Sequence, residues 1–225
     1  RPPIKSYEGS RLLVPVDRAF RDRLEEWARS EGTTSFELVL CAFTLMLHRL
    51  SGQEAVVVWV GEDLVADSKR ERMVGSIHRE APLCSSYDAN ISFSEYVSRQ
   101  QAWLAEARIH GVLSVSEMIE VLSLPRDQSR SGLLSAGFGS RSLGSSPSFG
   151  LKDAKLLHSP CVGARYDIEL TLIEAENEFL ISCDYADEMY DEDTVKRWLD
   201  GLLCLLDEGL SHKTESCGLL PIMCE

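Results

Sequence analysis

Acid–base chemistry needs a side chain whose protonation is tuned by a neighbour, so the histidines come first. His48, His78, His110, His158 and His212 are scattered along the chain, and no two are adjacent. A histidine works as a base or ligand only when a partner fixes its tautomer, so each one alone reads as a solvated or capping residue. His48 and Arg49 close a helical pattern, where cationic side chains suit the helix dipole, and His48 is assigned no chemistry. No Gly-x-Gly-x-x-Gly, no phosphate-binding Gly-x-x-x-x-Gly-Lys, no His-Glu-x-x-His and no Gly-x-Ser-x-Gly is present. Cys41, Cys84, Cys161, Cys183, Cys204, Cys217 and Cys224 form an odd set without Cys-x-x-Cys spacing, which reads as reduced, mostly buried thiols. The expectation is therefore no catalytic residue, no metal and no cofactor.

The elements that must position any site follow from periodicity. Leu12 to Val16 reads as a short strand, and Asp17 caps a helix with Phe20, Leu24, Trp27 and Ala28 at helical spacing up to Gly32. Thr34 to Glu37 has capping-box spacing, and the helix from Phe36 to Leu50 is apolar on nearly every side, which predicts burial. Ala55 to Val60 is a β-branched run typical of a strand covered on both faces. Glu62 to Arg72 reads as an exposed loop and Met73 to Leu83 as extended chain. Ser92 to Glu95 opens a helix ending near Gly111, and Ser114 to Glu117 opens a shorter one ending before Pro125. Tyr166 to Leu172 and Phe179 to Tyr185 alternate with period two and predict a hairpin. Asp191 caps a last helix carrying Val195, Trp198, Leu199, Leu202 and Leu206, followed by the apolar tail Leu219 to Ile222. Residues 1–11 read as a polar lead-in, and residues 137–150, rich in glycine and serine, as a flexible loop within a single domain spanning 1–225. With 44% hydrophobic residues that domain can bury a sizeable core, and a net charge of −13 argues against a nucleic-acid partner. No apolar run is long enough to span a bilayer, so no membrane partner is expected and the protein reads as cytoplasmic.

An ordered series of segments resembles the second half of condensation domains of non-ribosomal peptide synthetases, relatives of chloramphenicol acetyltransferase. Leu47-His48-Arg49-Leu50-Ser51-Gly52-Gln53-Glu54 with the valine run after it is similar to that family's helix, Ser/Thr-Gly-Gln turn and core strand. Val74-Gly75 with Pro82-Leu83 resembles its Ile-Gly-x-Phe-Val-Asn-Thr-Leu-Pro-Leu-Arg stretch. Pro125-Arg126-Asp127-Gln128-Ser129-Arg130 is similar to its Arg-Asp-x-Ser-Arg motif, and Tyr185 to Val195 resembles the approach to its last helix.

The resemblance implies an α/β (α+β) fold, a chloramphenicol acetyltransferase-like half domain whose mixed sheet carries packed helices, with strands at Val14, Val57, Leu83, Leu134, Leu170 and Ile181. It also shows departures. The family's His-His-x-x-x-Asp-Gly motif has no counterpart in these residues, and Ile77, His78, Arg79 and Glu80 occupy positions where the family lines its substrate tunnel with Phe-Val-Asn-Thr. An unpaired buried charge at Arg79 or Glu80 would be costly. Arg126, Asp127, Ser129 and Arg130 are read as a structural ion-pair and turn motif holding a loop to the body, so that removing Asp127 should lower the melting temperature, with an Arg–Asp catalytic pair as the sharper alternative. Three functions follow: a non-catalytic scaffold or docking module in non-ribosomal peptide or hybrid polyketide biosynthesis, half of an amide-forming acyltransferase whose histidine lobe is supplied elsewhere, and an unrelated small-molecule-binding domain. The implied partners are other synthetase domains or a carrier protein. A homodimer would cover an inter-lobe face on which Trp59, Ile77 and the tail Leu219 to Met223 supply apolar surface.

Overall fold

Strand alternation and helix caps, read in chain order, account for most of the architecture. The computed structural model describes residues 1–63, 78–111, 113–125, 127–130, 132–133, 135–143, 163–175 and 179–223. Among them, six strands, β1 (Gly9–Pro15), β2 (Ala55–Asp63), β3 (His78–Ser86), β4 (Ala136–Leu143), β5 (Ile168–Ala175) and β6 (Phe179–Ala186), form one sheet of order β1-β6-β5-β4-β2-β3. β4 runs parallel to both β2 and β5, and the other neighbours are antiparallel. The fold is mixed α/β, as expected.

Helices α1 (Arg18–Glu31), α2 (Ser35–Ser51), α3 (Phe93–His110) and α5 (Glu192–Ser211) supply the core that packs on one face of this sheet, and the short α4 (Val115–Val121) follows α3. Asp17 accepts from the Phe20 amide at 2.8 Å, Thr34 from Glu37 at 3.2 Å and Ser92 from Glu95 at 3.2 Å, each satisfying a helix-start donor. Ser114 and Glu117 complete a reciprocal capping box. Gly32 and Gly52 end α1 and α2 at a φ of 67°, a left-handed turn that costs glycine little. Asp191 stands at the start of α5 in extended conformation, but its side chain makes no cap bond.

Every residue of α2 from Leu38 to Met46 is buried, because this helix is wrapped by the sheet, α1, α3 and α5. Phe43 stacks on Phe138 of β4 at 5.9 Å, and Phe36 meets the same ring edge-on at 5.1 Å. Each fully buried leucine there, such as Leu38 or Leu40, contributes about 1.5–3 kcal/mol relative to exposure.

Three expectations change. The segment from Gly137 was read as the start of a flexible loop, yet residues through Leu143 belong to β4, near the middle of the sheet. Composition misled here because Gly137 is required by packing, a Cβ there meeting the Tyr166 ring at 2.7 Å, and not by a turn. Residues 144–150 of that expected loop, and the Leu134 strand centre, lie outside the described residues. The lead-in ends earlier than residue 11, since Gly9 already pairs with Ala186. Cys41, Cys84, Cys183 and Cys217 are free, but Cys204 is disulfide-bonded, which departs from an all-thiol chain.

Candidate functional site

Period-two alternation sends half of each strand away from the helices. Val58 and Val60 of β2, Ala136 and Phe138 of β4, and Ile168, Leu170 and Leu172 of β5 face the core. Their neighbours Trp59, Gly61, Gly137, Gly139, Glu169 and Thr171 therefore face the opposite side. That second face carries a cleft of about 240 Å³ whose lining includes Trp59, Glu80, Gly139, Arg141, Tyr166 and Glu169.

Close packing shapes the cleft. A Cβ placed on Gly137 would lie 2.7 Å from the Tyr166 ring, so that ring fits over the sheet only because the strand has no side chain there. The Arg165 guanidinium sits 5.2 Å above the same ring and donates to Glu80 at 2.7 Å. Trp59 is buried, and its indole N–H donates to the Leu133 carbonyl at 2.8 Å. It fastens the turn before β4 to β2, so it offers no apolar surface to a partner, contrary to expectation.

The electrostatics is dominated by carboxylates. Arg11 and Asp184 form a two-point pair at 2.5 and 2.6 Å across β1 and β6. Burial, joined by the negative charges of Asp184 and Glu80, raises Glu169 to about 7, and Arg165 and Arg11 oppose the rise. Burial also raises the Tyr166 phenol far above its usual range, assisted by Glu80, to which it is hydrogen-bonded. Glu169 is thus a carboxyl of the cleft poised to exchange a proton near neutrality.

Of the residues singled out from the sequence, Glu80 lies in this cleft and is paired rather than buried alone. His78 and Arg79 stand opposite Asp63 and Glu62 in the β2–β3 ladder, and Ile77 lies outside the described residues. Arg126 is likewise outside. Asp127 accepts from the Ser129 amide at 2.9 Å and from its hydroxyl at 2.7 Å, forming a local turn, and Arg130 approaches it at 3.5 Å. Asp127, Ser129 and Arg130 make these contacts within the loop, and hydrogen bonds from the body reach the loop through its backbone carbonyls. Asp127 and Arg130 are half or more exposed, whereas Lys5 donates its amide to the Gln128 carbonyl and Arg1 its guanidinium to that of Ser129.

His48 is buried, His110 is exposed at the end of α3, and His212 pairs with Glu208 one helical turn away at 3.1 Å. No cluster of three potential metal ligands occurs among the described residues. Sequence reasoning missed Glu169, Tyr166, Arg165 and the Arg11–Asp184 pair. A signal existed for Glu169 alone: a carboxylate on the outward phase of an otherwise apolar hairpin strand.

The Condensation domain family model matches residues 1–224. The chain belongs to the Condensation domain family. This Condensation domain chain is 25% identical over 209 residues to surfactin synthase subunit 1 of Bacillus subtilis (strain 168), covering 92% of itself and 6% of that protein. It is 22% identical over 232 residues to bacitracin synthase 2 of Bacillus licheniformis, covering 100% of itself and 9% of the relative. Among solved structures, the complex of the X-domain and OxyB from teicoplanin biosynthesis superposes with a TM-score of 0.81 at 24% identity, covering 100% of the chain and 50% of the matched chain. The condensation domain from the monacolin K polyketide synthase MokA gives 0.82 at 17% identity over 96% of the chain and 50% of that structure. The Condensation domain chain thus spans half of these structures and a small fraction of the synthases.

Proposed function

We propose that this chain is a C-terminal condensation-domain lobe of chloramphenicol acetyltransferase-like architecture, acting as a non-catalytic docking and scaffold module in non-ribosomal peptide assembly. One observation carries the reading: on the open sheet face two carboxylates, Asp184 and Glu80, are each held by an arginine. Arg11 holds Asp184, Arg165 and Tyr166 both hold Glu80, and no histidine stands among the described side chains lining the cleft. Carboxylates fixed by arginine in this way suit recognition and register more than bond-making. The similarity to the X-domain from teicoplanin biosynthesis, at 25% identity and a TM-score of 0.80, supports a place in such a biosynthetic assembly. The partners proposed are a carrier protein or a neighbouring synthetase domain, in the cytoplasm. No described helix is long and apolar enough to cross a membrane. The test is amide formation by the purified chain from a donor and an acceptor each loaded on a carrier protein. No product is expected, and turnover by the chain alone sinks the proposal.

Glu169 favours a second reading, half of an acyltransferase completed by a histidine-bearing lobe, because a carboxyl near 7 on the face such a lobe would meet is suited to proton transfer. Adding that lobe in trans would then give activity with a pH limb that disappears in Glu169→Gln.

A further inference from the structure

On the helix side of the sheet, four buried polar side chains join α2, β3 and α3. Thr44 and Tyr96 have no exposure, and His48 and Ser85 are only 1% exposed. His48 Nδ1 lies 2.8 Å from the Gln53 carbonyl oxygen, and Nε2 lies 3.1 Å from Ser85 Oγ. Ser85 Oγ is 2.9 Å from the Tyr96 hydroxyl, which is 3.1 Å from Thr44 Oγ1. Thr44 Oγ1 in turn is 2.9 Å from the Cys41 carbonyl oxygen. Five contacts therefore run in a line between two carbonyls, and a carbonyl only accepts.

Counting hydrogens shows what this line lacks. Neutral histidine brings one ring hydrogen and each hydroxyl brings one, so four hydrogens serve five contacts. Gln53 requires the ring hydrogen on Nδ1, which makes Nε2 an acceptor from Ser85, Ser85 an acceptor from Tyr96, and Tyr96 an acceptor from Thr44. Nothing is left for Cys41. If Thr44 donates to Cys41 instead, the Tyr96–Thr44 contact has no hydrogen.

We propose that His48, Ser85, Tyr96 and Thr44 form a proton-accepting latch. A proton taken from solvent onto His48 Nε2 completes the line and reverses it without separating the three elements. The Nε2 hydrogen goes to Ser85, the Ser85 hydrogen turns to Tyr96, that of Tyr96 to Thr44, and that of Thr44 to Cys41. Each hydroxyl rotates, no heavy atom has to move, and all five contacts hold a hydrogen.

Burial works against the charge and lowers the His48 pKa, while the Gln53 carbonyl acts to raise it. Among the described residues no counter-charge is in contact with the ring, whose two hydrogen-bond partners are both uncharged. From the segment after β3, Tyr87 stacks on the imidazole at 5.5 Å, with Asp88 next to it. α3 presents Tyr96, α2 presents Cys41 and Arg49, and the segment after α5 presents Cys217. The unfolded chain charges its histidine near the ordinary value of 6.5 and the folded chain only below it. Stability from this site is therefore complete above that value and declines as the pH falls through it.

The experiment follows the imidazole nitrogens of the full ¹⁵N-labelled chain by NMR from pH 8 downward, in the wild type and in Ser85→Ala, Tyr96→Phe and Thr44→Val. At pH 8 the neutral ring is expected to carry its hydrogen on Nδ1. Ser85→Ala leaves the charged Nε2–H without an acceptor and lowers the His48 pKa by about one unit or more. Thr44→Val is the sharper test, because two hydroxyls intervene between Thr44 and the ring along the line. It leaves three hydrogens for three contacts in the neutral state but orphans the Tyr96 hydrogen in the charged one, so the pKa drops again, by about half a unit to one unit. Tyr96→Phe shifts it in the same direction. A neutral Nε2–H tautomer, an unmoved pKa in Thr44→Val, or a His48 that stays neutral until the fold is lost would each overturn the latch.

Discussion

Replacing Glu169 by glutamine should change the pH dependence of stability by an amount that its raised pKa fixes. In the folded protein Glu169 keeps its proton up to about 7, against an ordinary value of 4.5. Between those limits the unfolded chain has released the proton and the folded chain has not, so rising pH favours unfolding. At about 1.4 kcal/mol per pH unit, the window amounts to about 3 kcal/mol of stability lost between pH 4.5 and pH 7. The glutamine variant stays neutral at this position and loses none of it. Urea denaturation of both proteins at pH 4.5, 6 and 8 should therefore show the stability of the variant rising relative to the wild type by about that amount across the series. Glu117, Asp127 and Glu188, whose pKa values their hydrogen bonds lower, are present in both proteins and cancel in the difference. Parallel profiles would refute the buried, charge-crowded description of Glu169.

Gly137→Ala should lower the melting temperature, with a loss of about 1–3 kcal/mol, because the new methyl meets the Tyr166 ring inside contact distance; an unchanged thermogram removes the steric argument. Asp127→Ala should leave the melting curve close to wild type, since the loop is held by backbone contacts to Lys5 and Arg1, and a large drop would restore the side-chain explanation. Leu219 and Met223 are 72% and 79% exposed, so if the tail mediates self-association, sedimentation across a concentration series should show a dimer that Leu219→Ser weakens. A strictly monomeric chain at high concentration ends that idea.

What the sequence made legible was local. Asp17, Thr34, Ser92 and Ser114 mark helix starts because the cap bond spans three residues, and the β5–β6 hairpin is readable because its two alternating halves lie side by side in the chain. The middle of the sheet was not. β4 has the composition of a loop, and its glycine is explained only by Tyr166, which arrives 29 positions later to cover it. The cleft was hidden for the same reason: Glu80 meets Arg165 across 85 residues, and Arg11 meets Asp184 across 173. No periodicity encodes such pairings. Glu169 differed, because the outward phase of β5 could have flagged it.

The strand order also has a temporal side. Of the described strands β1 is made first, yet its partner among them is β6, more than 160 residues later. At the pace of a ribosome, about 5–20 residues per second, Leu12 and Val14 wait on the order of 10–30 s before the strand that covers them exists. During that interval β1 is without the strand it pairs with in the folded sheet. Forming that pair also carries the entropy cost of the long intervening loop, which makes docking of β1 a late step in acquiring the fold.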